Sequence, residues 1–342
     1  MKKWLTVMII LAGCVPVFSQ DPVFSQFYAA PLHLNPAFAG VTNAPRITLN
    51  YRNQYPGFPN AYITYAATYE QSIEALNSGF GLMLSADAAG DGIYKTNRVA
   101  AVYGYRLQAS DDFFIKFGVE AGLIQTVIDW NRLVFGDQLD PLTGAVDGSG
   151  NPNPSQELQP ERLNNTVFDV SAGLLAYGGP FYGGVSVKHL NTPDESLIKL
   201  NENLNAGLPL RITVHAGAEF NLGGRNNRGN TAFISPNAMF IKQGPFGQFN
   251  VGAYAGFGQF FGGAWYRHTL SNPDAAIVML GFRKGVLRIG YSYDLTLSPL
   301  AQAPGGTGGT HEVSLTINFD DSRELARKKR ASRYNDCFKM FN

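Results

Sequence analysis

The chain has 342 residues, and its 27 Lys and Arg nearly balance its 26 Asp and Glu, for a formal net charge of +1. This balance excludes the strongly basic surface typical of nucleic-acid binding and the acidic excess typical of solvating tails. Charged residues make up only 15% of the chain, below the quarter that is usual in soluble domains.

Residues 1–20 predict a secretory signal peptide that is cleaved near Ser19-Gln20. The segment has a positive start, an apolar stretch and the small residue Ser19 near its end. Residues 11–14 also match a bacterial lipobox, which would make Cys14 a lipidated first residue. We favour the signal peptide because the apolar run continues beyond Cys14. Cleavage would leave Cys337 as the single cysteine and exclude an internal disulfide.

The dominant pattern in the rest of the chain is an alternation of apolar and polar residues, which predicts strands with two unlike faces. In residues 209–222, for example, Leu210 and Ile212 alternate with Arg211 and Thr213. Most such segments have about ten residues, enough to cross a bilayer core at the usual tilt. The pattern predicts fourteen strands, near residues 44–53, 60–70, 78–87, 94–108, 112–127, 165–178, 180–190, 209–222, 231–242, 247–257, 259–270, 274–283, 285–297 and 309–320.

The length and even number of these strands favour a closed transmembrane barrel. No later stretch is apolar enough for a transmembrane helix, but an exported chain can cross an outer membrane as a closed barrel. The long connections 128–164 and 191–208 follow odd-numbered strands, whereas the tight turns 177–180 and 283–286 follow even-numbered ones. This sorting is typical of long outer loops and short periplasmic turns. We therefore predict an all-β, antiparallel transmembrane β-barrel of about fourteen strands over residues 44–320.

Residues 21–43 precede the first strand and are too rich in proline for a helix or a central strand. The tetrapeptide VFSQ occurs at 17–20, in the predicted signal peptide, and again at 23–26. Because the segment comes before the first strand, we expect it to start in the periplasm. Its aromatic side chains favour burial, so it is predicted to pack into the barrel mouth or lumen as a plug. The candidate plug residues are Phe24, Phe27, Tyr28, Pro31, Asn35, Pro36 and Phe38.

Residues 321–342 form a basic tail after the last predicted strand, on the periplasmic side. This tail is either a solvated extension or a docking segment for an acidic or peptidoglycan-associated partner. Apolar residues near its end favour docking. The candidate docking residues are Arg327, Lys328, Lys329, Arg330, Arg333, Phe338 and Phe341.

The sequence contains no pattern that indicates catalysis. Residues 311–315 lack the second histidine of a zinc-protease motif, and no nucleotide-binding or nucleophile motif occurs. The five histidines are not at metal-ligand spacing. We therefore expect no enzymatic activity, no metal site and no cofactor.

Several short stretches occur in a distinctive order: DPVFSQFYAAPLHLNPAFAG at 21–40, YRNQYPGFP at 51–59, VKHLNTP at 187–193, WYRHT at 265–269, and IGYSYDLTLSPL with GGTHEVSLTINF at 289–300 and 308–319. Together they make the chain resemble the PorP/SprF family, outer-membrane proteins of the type IX secretion and gliding apparatus of Bacteroidetes. Tyr55 stands where the family would lead us to expect tryptophan.

The resemblance implies a role in the outer membrane rather than a reaction. Some family members are tied to periplasmic, peptidoglycan-binding lipoproteins of the secretion machinery. Others, resembling SprF, serve the secretion or surface attachment of one large adhesin, and we favour this role. The implied partners are outer-membrane lipid, an adhesin or its C-terminal domain, and periplasmic lipoproteins, with no nucleic acid. The alternative is a passive porin or small-solute transporter, because fourteen strands can enclose a solute path.

Overall fold

The computed structural model describes residues 20–59, 61–197, 207–222 and 232–319. The predicted signal peptide up to Ser19, Cys14 included, and the basic tail with all its candidate docking residues lie outside the described residues. Within the described part of the chain, no helix is long and apolar enough to cross a membrane.

Fourteen strands make up most of the described chain, close to the positions that the alternation predicts. The eighth strand is interrupted after Ala218 and continues through Phe220–Asn221, which pairs with the next strand in an unchanged register. The strands are β1 Arg46–Gln54, β2 Tyr62–Ile73, β3 Ser78–Ala89, β4 Tyr94–Ser110, β5 Phe113–Ile128, β6 Asn164–Gly178, β7 Phe181–Lys188, β8 Arg211–Ala218, β9 Phe233–Gln243, β10 Phe246–Phe257, β11 Phe260–Thr269, β12 Pro273–Lys284, β13 Leu287–Thr296 and β14 Thr310–Asn318.

The strands form one closed antiparallel barrel. Each strand pairs with its neighbours in the chain, and β1 pairs with β14 from Arg46↔Asn318 to Gln54↔Thr310. Closure leaves no unpaired edge among the described strands, which is the condition for crossing a bilayer with strands. The predicted fold class is therefore confirmed.

The two faces of the wall differ in chemistry as the alternation predicts. In β8, Arg211 and Thr213 are buried inside the barrel, whereas Ile212 and Val214 are exposed outside it. Phenylalanines cluster on the outer face at one end of the barrel, as in the aromatic girdle of a membrane barrel. These residues are Phe113, Phe181, Phe220, Phe257, Phe260 and Phe282.

The two ends of the barrel differ in the length of their connections. The connection 129–163, the described parts 189–197 and 207–210 of the next long connection, and the connection 297–309 lie at one end, which we call the long-loop end. Turns such as 111–112 and 179–180 lie at the other, the short-turn end. The chain before β1, residues 20–45, folds into short helical turns at Phe27–Ala29, Pro31–Leu34 and Pro36–Phe38 and lies inside the barrel. We call it the lumen segment.

Candidate functional site

The lumen segment crosses the interior from one end of the barrel to the other. At the long-loop end, the backbone nitrogen of Asp21 donates to Oε1 of Gln243 over 3.1 Å. The Asp21 carboxylate lies 2.7 Å from Nε2 of His189, which directly follows β7. At the short-turn end, the backbone nitrogen of Gly40 donates to the Glu70 carboxylate over 3.1 Å.

The sequence led us to expect that this segment starts on the periplasmic, short-turn side. In the structure its first described residues lie at the long-loop end, and only its last residues reach the short-turn end. The expectation rested on the position before β1, which determines where the segment ends but not where it begins. A chain of about 20 residues is long enough to span the roughly 30 Å of a bilayer core.

The inner wall carries a row of glycines beneath the segment. Gly79 of β3 pairs with Gly104 of β4, Gly104 pairs with Gly118 of β5, and Gly118 pairs with Gly173 of β6. We call these four residues the glycine row. Because the four have no side chains, they leave a groove that runs across four adjacent strands.

The backbone of the lumen segment lies directly in this groove. A Cβ atom built on Gly79 would lie 2.5 Å from Cα of Gly40, and one on Gly104 would lie 2.8 Å from the carbonyl oxygen of Ala39. Real Cβ atoms do not approach other atoms so closely. The glycine row is therefore the part of the wall that makes room for the segment.

Hydrogen bonds around the row join the segment to the wall. Nδ2 of Asn35 donates to the carbonyl oxygen of Leu174 over 3.0 Å, and its Oδ1 accepts from the nitrogen of Ala37 over 2.9 Å. Oγ of Ser186 donates to the carbonyl oxygen of Leu34 over 2.8 Å. These bonds satisfy polar groups of an irregular chain that is buried away from water.

A buried carboxylate holds the segment nearer the long-loop end. The backbone nitrogens of Ser25 and Gln26 each donate to Glu312 over 2.8 Å. Oγ of Ser25 donates to Asp294 over 2.6 Å, and Nη1 of Arg52 lies 3.1 Å from Glu312. Charge-assisted hydrogen bonds of this kind are stronger than neutral ones. Because Glu312 serves both Arg52 and the segment, its loss would leave several groups without a partner.

Asp21 and His189 form a charged contact at the start of the segment, outside the strands. Burial alone would raise the pKa of Asp21, but the charges of His189 and Arg211 hold it well below its usual value. Burial alone would lower the pKa of His189, but Asp21 and Asp169 raise it to about 9. Both groups are therefore charged at neutral pH. Among the described residues, no cluster of His, Cys, Asp or Glu could hold a metal ion.

Aromatic contacts complete the packing of the segment. The ring of Phe27 lies 4.8 Å from that of Trp265, and the ring of Tyr28 lies 5.1 Å from that of Tyr254, both edge to face. The structure places the seven residues proposed as plug candidates together in the interior, and all seven are buried: Phe24, Phe27, Tyr28, Pro31, Asn35, Pro36 and Phe38.

Comparison with known protein families identifies the family of the chain. The sequence matches the family described as type IX secretion system membrane protein PorP/SprF over residues 17–317. The chain belongs to this family. It is thus a type IX secretion membrane component, and its barrel places this PorP/SprF protein in the outer membrane.

Two of the solved structures that this PorP/SprF chain is similar to match it at low sequence identity. The outer membrane protein Omp33 of Acinetobacter baumannii is 9% identical, with 82% of this chain and 100% of Omp33 covered and a TM-score of 0.44. The toluene transporter TodX of Pseudomonas putida is 13% identical, with 89% and 98% covered and a TM-score of 0.43. No curated protein sequence matches the chain.

Two features of the site were not predicted from the sequence. The glycine row joins residues that are far apart in the chain, although each one occupies a polar-face position in its own strand. The pairing of Glu312 with Ser25 likewise spans most of the chain. A strand register would have revealed the glycine row, because it aligns the four glycines. The contact of Glu312 with Ser25 depends instead on how the segment folds inside the barrel.

Proposed function

We propose that this protein is a non-enzymatic and non-conducting component of the type IX secretion system. Its role is the secretion or surface attachment of a partner adhesin, with the long-loop end facing the outside. The observation that supports this proposal is the occupied lumen. Leu32, Ala37 and Phe38 of the lumen segment have no exposed surface, so the interior is packed like a protein core rather than open like a pore.

The long-loop end offers a preformed surface for a partner. Connection 129–163 is ordered by its own polar groups: Nε2 of Gln138 donates to the carbonyl oxygen of Asn153 over 2.6 Å, and Nδ2 of Asn153 donates back over 2.7 Å. A large ordered loop on the outer side favours the SprF-like role. Docking to periplasmic, peptidoglycan-binding lipoproteins through residues 321–342 is the second, PorP-like role.

A passive porin is the competing function. A cavity of about 450 Å³ at the long-loop end is the observation that favours it. That cavity ends on the lumen segment, however, whose residues 20–23 form part of its lining. A solute path would therefore require the segment to leave the barrel.

Deletion of the gene in its native host distinguishes the two functions. The proposal predicts that the amount of one large surface protein on the cells falls severalfold, while uptake of small sugars and amino acids is unchanged. Re-expression of the wild-type protein should restore the surface protein. An unchanged set of surface proteins together with reduced solute uptake would contradict the proposal and support a porin.

A further inference from the structure

The cavity at the long-loop end has the size of a ligand site. Its volume of about 450 Å³ lies within the range of small-molecule pockets. Residues 20–23 of the lumen segment form its inner boundary. We call this cavity the vestibule. Aromatic and amide side chains line its wall: Gln54, Tyr55, Phe58, Tyr62, Phe246 and Gln248.

Tyr55 is held in a backbone conformation that is rare for an aromatic residue. Its φ angle is +59°, in the left-handed region that bulky residues avoid. Its nitrogen donates to the carbonyl oxygen of Gly309 over 2.9 Å, and its own carbonyl oxygen accepts from the nitrogen of Phe58 over 3.0 Å. Such conformations persist where the surroundings impose them, often at functional sites. Here the constraint places Tyr55 and Phe58 together in the vestibule wall.

The vestibule is also lined by four charged residues, Asp21, Arg52, Arg267 and Asp274. Each of them already has a charged partner. Nη1 of Arg267 lies 2.9 Å from Asp294, and its Nε also donates to Asp274. Arg52 is paired with Glu312 over 3.1 Å. A charged ligand would compete with these buried pairs. The aromatic rings and glutamine amides instead suit a neutral ligand with apolar groups and both hydrogen-bond donors and acceptors.

The barrel interior already binds polypeptide main chain through polar side chains. The amide of Gln243 accepts from the nitrogen of Asp21 at the edge of the vestibule. Nζ of Lys116 donates to the carbonyl oxygen of Ala39 over 2.8 Å. Every described strand is paired, so a further segment could not bind by strand addition and would depend on side chains such as Gln54 and Gln248.

We propose that the vestibule binds a short, uncharged and extended segment of the partner protein, with an aromatic or aliphatic side chain packed between Tyr55, Phe58 and Phe246. This inference rests on the proposed function. It adds where the partner binds: against the first residues of the lumen segment, at the outer end of the barrel.

Site-specific photocrosslinking in the native host tests the proposal. Benzoylphenylalanine at Phe58 faces the vestibule, and the same group at Leu280 on the lipid face is the control. We expect an adduct from position 58 that is sensitive to protease and maps to one short segment of one protein. A synthetic peptide of that segment should then bind the purified full-length protein. No adduct, a protease-resistant adduct that periodate destroys, or adducts scattered over many proteins would overturn the proposal.

A substitution that fills the vestibule, with a matched control on the lipid face, gives a second test. Ala61→Trp places a large side chain in the vestibule, and Ala101→Trp places the same side chain on the lipid face. We expect Ala61→Trp to weaken both the adduct and peptide binding about tenfold or more, and Ala101→Trp to leave both unchanged. If deletion of the gene removes the surface adhesin but Ala61→Trp leaves attachment and crosslinking intact, the vestibule is wrong and the secretion role stands. If deletion leaves the adhesin in place, the secretion role itself is wrong.

Discussion

At the scale of single residues, the site depends on glycines, which have no side chains and so leave room for the lumen segment. Gly79, Gly104, Gly118 and Gly173 are paired across four strands and together form one groove. Asn35 of the segment then donates to the backbone of the wall, and Ser186 of the wall donates to the backbone of the segment. Small changes at these positions should therefore affect the lumen segment before they affect the barrel.

Gly118→Ala tests the row directly. The new Cβ would lie 2.6 Å from Cα of Ala37, and overpacking of this kind costs about 1–3 kcal/mol. We expect faster proteolysis within residues 20–45 and a barrel that still folds. Gly183→Ala is the control, because its Cβ would lie 3.6 Å or more from its neighbours. Equal proteolysis of the two variants would argue against the groove.

Glu312→Gln tests the buried carboxylate. The substitution keeps the shape but removes the charge that pairs with Arg52 and accepts from Ser25 and Gln26. Breaking a buried pair costs about 3–5 kcal/mol, so the midpoint of urea unfolding should fall clearly. Glu157→Gln, on the exposed connection 129–163, should not change it. Equal midpoints in both variants would show that Glu312 does not stabilise the fold.

The contact between Asp21 and His189 should depend on pH. The pKa of His189 is raised to about 9, so its stabilisation is complete below the unfolded value of about 6.5 and is lost as the pH rises through 9. The pKa of Asp21 is lowered, so its stabilisation is lost only in acid. A fluorophore attached at Gln20→Cys should gain mobility between about pH 7 and pH 10. The same probe in an Asp21→Asn background should already be mobile at pH 7. If the mobility of the probe has the same pH profile in both backgrounds, the account is contradicted.

At the scale of elements, the strands could be predicted because lipid and lumen impose opposite chemistry on neighbouring residues. The prediction for 94–108 corresponds to β4 at Tyr94–Ser110. The prediction for 209–222 covers β8, where only the break after Ala218 was missed. Glycine makes the alternation weak in 78–87 and 259–270. In 78–87 the two glycines Gly79 and Gly81 face the lumen segment.

The lumen segment was harder to predict because nothing in its own residues determines its direction. Its prolines and aromatic residues indicate burial, but its course follows from partners such as Glu70, Glu312 and His189, which lie on or directly after other strands. Those contacts exist only once the barrel has closed. Composition therefore predicts that the segment is buried, whereas the register of the barrel determines where each residue lies.

At the scale of the whole molecule, the two ends of the barrel are proposed to serve different partners. Residues 321–342 follow β14 at the short-turn end, and their structure lies outside the described residues. We predict that removing 321–342 leaves barrel assembly intact but weakens recovery of periplasmic partners in a pull-down. The candidate docking residues are those of the basic and apolar tail. If the recovery of periplasmic partners is unchanged, the tail has no docking role.

The central claim is that the lumen segment fills the barrel and blocks a solute path through it. Planar-bilayer conductance tests this claim most directly. The full-length protein should show no large and steady channel. A variant that lacks residues 21–43 should conduct, because it loses the chain that fills the groove and the interior. A large, steady conductance from the full-length protein, or no difference between the two proteins, would contradict the account.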